Sequence, residues 1–260
     1  MIAVIGAGAM GEALIAGWIV AGTSPEGIVV VDRDETRLTH FRDAHQVASA
    51  SLAEAARAEV LVVAVKPHHV EGVLTEIAPL LAPSTLVVSI AAGVSLARLA
   101  APLPENQPII RVMPNTPALV GKGVAGIAAG ANAAESHIEQ VKQLMDAVGI
   151  SVVVPESQLD ALTALSGSGP AYLFAVAEAM IEAGVHQGLS RADATVLVNG
   201  TFAGVASMLE QSGESATVLR ERVTSPAGTT AAALRVLDER GVRAAFLAAV
   251  EACARRSAEL

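Results

Sequence analysis

Two clusters of small residues carry most of the chemistry this chain offers, one at its start and one near its end. Gly6-Ala7-Gly8-Ala9-Met10-Gly11 follows the apolar run Ile2-Ala3-Val4-Ile5 and opens a stretch with Leu14, Ile15, Trp18 and Ile19 at helical spacing. A strand, a Gly-x-Gly-x-x-Gly turn and a helix in that order form a dinucleotide fingerprint. Gly6 permits the tight turn, Gly8 lets backbone approach a pyrophosphate, and Gly11 lets the helix pack close on its strand. The phosphates then face free N–H groups at a helix N-terminus. The second cluster is Val223-Thr224-Ser225-Pro226-Ala227-Gly228-Thr229-Thr230, running into Ala231 to Asp238. Small residues entering a helix aim successive N–H groups and the helix dipole at one point, a setting for a carboxylate. The hydroxyls of Ser225, Thr229 and Thr230 add donors there, and a hydroxyl can also pass a proton. The plainer alternative is a threonine-rich N-cap that binds nothing.

These clusters need a scaffold, and the chain supplies one by alternation. Continuous apolar runs at Ile28 to Val31, Val60 to Val65, Leu86 to Ile90 and Ile109 to Met113 predict strands covered on both faces, with helical stretches between them. Val124 to Ala129, a helix over Ala134 to Val148 and the strand Ser151 to Val154 complete a sheet of seven or eight strands. Beyond Glu156 the pattern is helical throughout, broken at Ser166-Gly167-Ser168-Gly169-Pro170, at Gly188-Leu189-Ser190, at Ser212-Gly213 and at Ser225 to Gly228. The expected organisation is α/β: an N-terminal Rossmann-type doubly wound sheet over residues 1–155 and a C-terminal all-α dimerisation domain over residues 156–260. The stretches Tyr172 to Val185 and Arg191 to Leu209 are apolar on more than one face, so they need a partner surface, and a homodimer is expected.

Candidate ligand contacts fall at the carboxyl ends of these strands, the edge where open α/β sheets bind ligands. Asp32 and Arg33 stand where a carboxylate reads the ribose 2′-OH of NAD and an arginine holds the 2′-phosphate of NADP. Asp32 can instead cap the helix that follows. Lys66 ends a central strand, ahead of Pro67. His68 and His69 read as first-turn helix residues, because no nucleophile or second ligand is spaced to join them. Asn115, in the rigid loop Pro114-Asn115-Thr116-Pro117, either reaches a nicotinamide ribose or amide or shapes its own loop through an Asx turn.

Composition excludes several classes. The net charge is −9, with 17 Lys and Arg and no long basic run, which gives no electrostatic footprint for nucleic acid. Six histidines lack His-x-x-x-His or His-Glu-x-x-His spacing and the one cysteine is Cys253, so neither a metal site nor a disulfide is expected. Mean hydropathy is +0.52, yet no uninterrupted apolar run reaches the ~18 residues that spanning requires, so no membrane association is expected. A first strand beginning at residue 2 leaves no room for a cleavable signal, and a cytoplasmic protein is expected.

Beyond the glycine fingerprint, the chain carries Ala64-Val65-Lys66-Pro67, Ala91-Ala92-Gly93, Met113-Pro114-Asn115-Thr116-Pro117-Ala118, Ser166 to Tyr172 and Val223 to Asp238. Together these resemble the Δ1-pyrroline-5-carboxylate reductases over essentially the whole length. The resemblance implies hydride delivery from NAD(P)H to the C=N carbon of 1-pyrroline-5-carboxylate. The product is L-proline, at the last step of proline biosynthesis. The Asp32–Arg33 pair predicts use of both NADPH and NADH with NADPH preferred, because Arg33 can pair with a 2′-phosphate while Asp32 turns away to cap its helix. The cofactor candidates are Asp32 and Arg33 together with Gly6 to Gly11, Ala64 to Pro67, Ala91, Ala92, Gly93 and Asn115, which lie in segments that carry the resemblance. The resemblance assigns Ser225, Gly228, Thr229 and Thr230 to the substrate carboxylate, with Thr230 as proton donor to the ring nitrogen. It also implies dimers that assemble further, into decamers built as pentamers of dimers.

Two other readings compete. The β-hydroxyacid dehydrogenases share the layout but carry a catalytic lysine in a Gly-x-Gly-x-x-x-Lys pattern, and here Gly167-Ser168-Gly169 leads to Leu173. Lys66, Lys122 and Lys142 all precede residue 156, so the base that alcohol oxidation needs is missing. A nucleotide-sensing dimer without chemistry shares the fold, but would not need a second glycine-rich anion loop.

Overall fold

In the computed structural model, which describes residues 1–259, the apolar runs pair into one eight-stranded sheet. In chain order the first part comprises β1 (Ile2–Ile5), α1 (Ala9–Val20), β2 (Ile28–Val31), α2 (Glu35–His45), β3 (Ala48–Ser49), α3 (Leu52–Ala55), β4 (Val60–Val63), α4 (Pro67–Ile77), β5 (Leu86–Ser89) and α5 (Leu96–Ala100). There follow β6 (Ile109–Met113), β7 (Gly123–Ala129), α6 (Glu135–Asp146), β8 (Gly149–Val153), α7 (Leu159–Leu162) and a π-helical turn, Thr163–Gly167. The strand order is β3-β2-β1-β4-β5-β6-β7-β8. All neighbours are parallel except β6 and β7, whose short connection through a 3₁₀ turn at Thr116–Val120 is too brief for a parallel crossover.

The register sets the ligand edge. Ile5 pairs level with Val31 on one side and with Val63 on the other. Gly6, Asp32 and Ala64, each the next residue along, therefore leave the sheet side by side at the point where strand order reverses from β1 to β4. Alternating side chains supply a core on each face. Val4, Val62 and Val88 meet Leu14, Ile15, Trp18 and Phe41 on one side. Ala3, Ile5, Leu61, Val63 and Val87 meet Val70, Leu74 and Ile77 on the other. Each such large apolar side chain contributes about 1.5–3 kcal/mol on burial. Trp18 is fully buried and its indole N–H donates to the Leu144 carbonyl at 2.8 Å, so α1 is fixed in rotation as well as in depth.

The rest of the chain is helical: α8 (Gly169–His186), α9 (Arg191–Gln211), α10 (Ala216–Arg222), α11 (Thr229–Glu239) and α12 (Val242–Ala258). The chain divides into two compact units, Met1–Ser168 joined by the final turns from Ala252, and Gly169–Glu251. In the first unit, Ser257 donates to Asp160 at 2.7 Å, and the free thiol of Cys253 lies 3.3 Å from the hydroxyl of Ser168. In the second, α8 packs along α9, yet no residue of α8 is buried. Leu173, Phe174 and Met180 on α8 and Val196, Leu197, Val205 and Met208 on α9 are exposed. No uninterrupted apolar run forms in α9, where Thr195, Asn199, Thr201 and Ser207 interrupt the apolar residues. By length and composition this helix is apolar enough to cross a membrane, because its charged residues, Arg191, Asp193 and Glu210, lie at its ends.

Candidate cofactor and substrate sites

The three glycines of the first turn answer to different constraints. Gly6 has φ +111°, and a Cβ there would lie 2.7 Å from the Ala64 carbonyl oxygen, so both conformation and space require glycine. At Gly11 a Cβ would lie 2.5 Å from the Gly6 carbonyl oxygen. Gly8 is different: nothing lies within 4 Å of the position its Cβ would take, and the residue is exposed. The protein itself does not need a glycine there, whereas a pyrophosphate laid against the turn does. Gly8 is also the N-cap of α1, whose first helical hydrogen bond runs from Glu12 N–H to the Gly8 carbonyl at 2.9 Å. The N–H groups of Ala9, Met10 and Gly11 thus point outward from the helix start, so the turn fits a dinucleotide.

The end of β2 braces this turn. Asp32 accepts from the N–H of Ala7 at 2.6 Å through one oxygen and from the N–H of Asp34 at 2.9 Å through the other. The idea that Asp32 caps the following helix is corrected: Asp34 is the N-cap of α2, accepting from Thr36 N–H at 2.9 Å and Arg37 N–H at 3.4 Å. Arg33 extends into solvent, its side chain 94% exposed, with only a loose 3.9 Å approach to Glu76. Arg37, in the first turn of α2, donates through Nε to the Ala7 carbonyl at 2.7 Å and through Nη2 to Glu12 at 2.7 Å. The other oxygen of Glu12 lies 2.5 Å from Nε2 of His40 and 3.2 Å from Nε2 of His45. Partial burial raises the Glu12 carboxyl, but hydrogen bonds from His40, Arg37 and His45 outweigh it and hold the group at about 2. The ligand-bearing atoms of Glu12, His40 and His45 all lie within 4.8 Å of one another, a grouping across two helices that sequence spacing does not reveal.

Further along the edge, Lys66 is the exposed N-cap of α4, with Pro67 at the first helical position and His68 and His69 exposed in the first turn. Ala64 continues β1–β4 pairing through its N–H to the Ile5 carbonyl at 2.8 Å. Ala91 is buried, Ala92 and Gly93 are half-buried, and Gly93 turns the chain with φ +72°. Asn115 is buried; its amide donates to the Ser166 carbonyl at 2.9 Å and its oxygen accepts from Val124 N–H at 2.8 Å. Both polar ends of its side chain are engaged within the protein, in loop shaping of a longer range than an Asx turn.

The second cluster forms a β-turn running into α11. Gly228 N–H donates to the Ser225 carbonyl at 3.0 Å, Pro226 takes the first central position and Ala227 the second, with φ +57°. The N-cap of α11 is Gly228, which has no side-chain cap. The first helical bond runs from Ala232 N–H to the Gly228 carbonyl, so the N–H groups of Thr229, Thr230 and Ala231 have no acceptor in the helix. Among the described residues the hydroxyls of Ser225, Thr229 and Thr230 make no hydrogen bond. The threonines are therefore not occupied as caps. Sequence reasoning missed Glu12, Arg37, His40 and His45; the available signal was Arg37 one turn beyond an Asp-x-Asp at the end of a strand.

Comparison with known proteins agrees with this geometry. The family model described as pyrroline-5-carboxylate reductase dimerisation matches residues 156–260, and one described as NADP oxidoreductase, coenzyme F420-dependent, matches residues 1–93. A pyrroline-5-carboxylate reductase of Corynebacterium melassecola is 46% identical, covering 100% of this chain and 98% of its own length. One from Mycobacterium tuberculosis is 43% identical, with 100% and 96% covered. The solved pyrroline-5-carboxylate reductase of Coxiella burnetii superposes with a TM-score of 0.96 at 35% identity, covering 99% of this chain and 97% of that one. The Plasmodium falciparum pyrroline carboxylate reductase with NADP bound gives 0.86 at 32% identity over 99% and 97%. Full-length identity at this level, on a sheet edge and a helix-entry turn of this form, establishes that the chain belongs to the pyrroline-5-carboxylate reductase family.

Proposed function

We propose that this protein reduces the C=N bond of 1-pyrroline-5-carboxylate, a small cyclic imino acid, to give L-proline, the last step of proline biosynthesis. The observation that carries the reading, in a member of this family, is the Ser225–Thr230 turn: three helix-start N–H groups and three hydroxyls with no acceptor of their own. A carboxylate supplies what they lack. Bound NADPH supplies the hydride for the imine carbon. The protein's own tasks are to hold the ring, exclude water and provide one proton at nitrogen. Ser225, Gly228 and Thr229 hold the carboxylate in both ground and transition states. The Thr230 hydroxyl donates to the ring nitrogen as its bond order falls, and regains a proton from solvent.

For the cofactor, the Gly6–Gly11 turn takes the pyrophosphate, while Ala64 to Pro67, Ala91 to Gly93 and the Asn115 loop form the rest of the edge. NADPH is preferred and NADH accepted. Arg33, unconstrained and cationic, suits a 2′-phosphate, while Asp32 has both oxygens engaged by backbone N–H groups and has less to offer a 2′-OH. The uncovered apolar residues of α8 and α9 suit a homodimer, and assembly of five dimers into a decamer extends the same reading. We assign the enzyme to the cytoplasm. The test is NADPH absorbance, which should fall on addition of 1-pyrroline-5-carboxylate with matching formation of L-proline. Reduction of NADP by 3-hydroxy acids instead, or binding without turnover, would replace this reading with the dehydrogenase or the sensor.

A further inference from the structure

The Ala7–Gly8 peptide of the cofactor turn is held by a chain of contacts that runs through Arg37 and Glu12 to His40 and His45. Ala7 is buried, its N–H is tied to Asp32 at 2.6 Å, and its carbonyl is tied to Arg37 Nε at 2.7 Å. That carbonyl shares a peptide plane with the N–H of Gly8. In a trans peptide the two point in opposite directions, so whatever fixes the Ala7 carbonyl fixes the direction of the Gly8 N–H. The Gly8 N–H has no partner among the described residues. A glycine on one side makes this peptide easy to rotate, and a rotated peptide would aim a carbonyl where the N–H had been.

We propose that Arg37 and Glu12 are positioning residues for the cofactor turn: Arg37 holds the Ala7 carbonyl so that the Gly8 N–H faces the pyrophosphate, and Glu12 holds Arg37. The inference rests on the reading of the turn as a dinucleotide site. Arg37 is built for the task. Its side chain is 35% exposed, its guanidinium lies 5.6 Å from the Phe41 ring centre, and Glu12 sets its orientation with a second hydrogen bond. Glu12 in turn is fixed through its other oxygen by His40 and His45, so four side chains of α1 and α2 end in one carbonyl of the turn. The Glu12, His40 and His45 cluster reads as the anchor of this brace rather than as a cation site, because Arg37 already supplies the counter-charge and would repel a metal ion.

Because the pyrophosphate is common to both nicotinamide cofactors, the brace should act equally on both. Titration calorimetry of the full-length protein with NADPH and with NADH reads this directly. Wild-type protein that binds neither cofactor would sink the underlying reading, whatever the variants do. Given wild-type binding, Arg37→Met, which keeps the stem over Phe41, should weaken both cofactors by about tenfold, the value of one hydrogen bond to a charged group. Glu12→Ala should do nearly the same, Glu12→Gln should recover most of the loss, and the double variant should be no worse than Arg37→Met alone. In steady state the cofactor KM should rise while the KM for the imine stays. Thermal unfolding without ligand identifies a variant that fails to fold, and the Glu12 pair then decides. Unchanged dissociation constants would overturn the proposal. So would a loss confined to NADPH, which would make Arg37 a reader of the 2′-phosphate.

Discussion

The side-chain amide of Asn115 donates to the carbonyl of Ser166 at 2.9 Å, across the sheet edge from β6 to the π-helical turn. In a regular helix that carbonyl would accept from the residue four places on, but this residue is Pro170, which has no N–H. The turn closes instead through the wider bond from Ser168 N–H to the Thr163 carbonyl at 2.8 Å, and Asn115 supplies the missing donor. Replacing Asn115 with alanine leaves two half-buried backbone groups, Ser166 C=O and Val124 N–H, without this partner. It should cost about 2 kcal/mol in urea unfolding. Asn115→Asp keeps the acceptor but sets a carboxylate against a carbonyl, and should cost at least as much.

Ala227 occupies a turn position that favours glycine, at φ +57°. Holding alanine there costs roughly 1 kcal/mol, partly offset because glycine would loosen the unfolded chain. Ala227→Gly should therefore raise stability by about 0.5 kcal/mol and leave imine turnover near wild type. A β-branched residue cannot settle at this φ, so Ala227→Val should disorder the turn and raise the KM for the imine. Steady-state assays of the two variants give the comparison, and equal behaviour would mean the turn relaxes in solution.

Much of the scaffold was legible because its signals are local. Four-residue apolar runs spaced by helices specify a parallel sheet, and Gly6 and Gly11 are glycines for reasons a strand, a turn and a helix impose on any sequence. The entry to α11 was legible for the same reason, since Ser225 to Thr230 are contiguous. What escaped was set by tertiary contact. His40 and His45 meet Glu12 only because α1 and α2 lie side by side on β1 and β2, and Asn115 finds Ser166 from 51 residues away. The division of cap and brace between Asp34 and Asp32 was equally hidden, because either carboxylate has the right type and spacing.

Arg33 is the freest cation beside the expected ribose position. Arg33→Ala should raise the KM for NADPH by about tenfold and change that for NADH little, since only the first carries a phosphate there. Parallel titrations of the two cofactors measure it, and equal effects would place Arg33 outside the ribose pocket.

The depressed Glu12 carboxyl predicts an acid-dependent contribution to stability. A group held at about 2 when folded, against 4.5 ordinarily, stabilises the folded state fully above the unfolded value and loses that contribution as pH falls toward the folded one. Allowing for its partial exposure, this is about 2 kcal/mol. Wild type and Glu12→Gln should therefore differ most above about pH 5 and converge toward about pH 2, as urea unfolding at a series of pH values will show.

The most direct measurement compares Thr230→Ala with Ser225→Ala in the NADPH-coupled reduction of 1-pyrroline-5-carboxylate. Donation to nitrogen occurs only as the transition state forms, and general acid catalysis of this kind is worth about 10² to 10⁴ in rate, less where the imine is already protonated. Thr230→Ala should lower kcat by at least about tenfold with little change in the KM for the imine. Ser225→Ala removes a contact present before and during reaction, so KM should rise with kcat nearly kept. Full kcat in Thr230→Ala across the pH range would contradict the assignment and leave solvent or the iminium itself as the proton source.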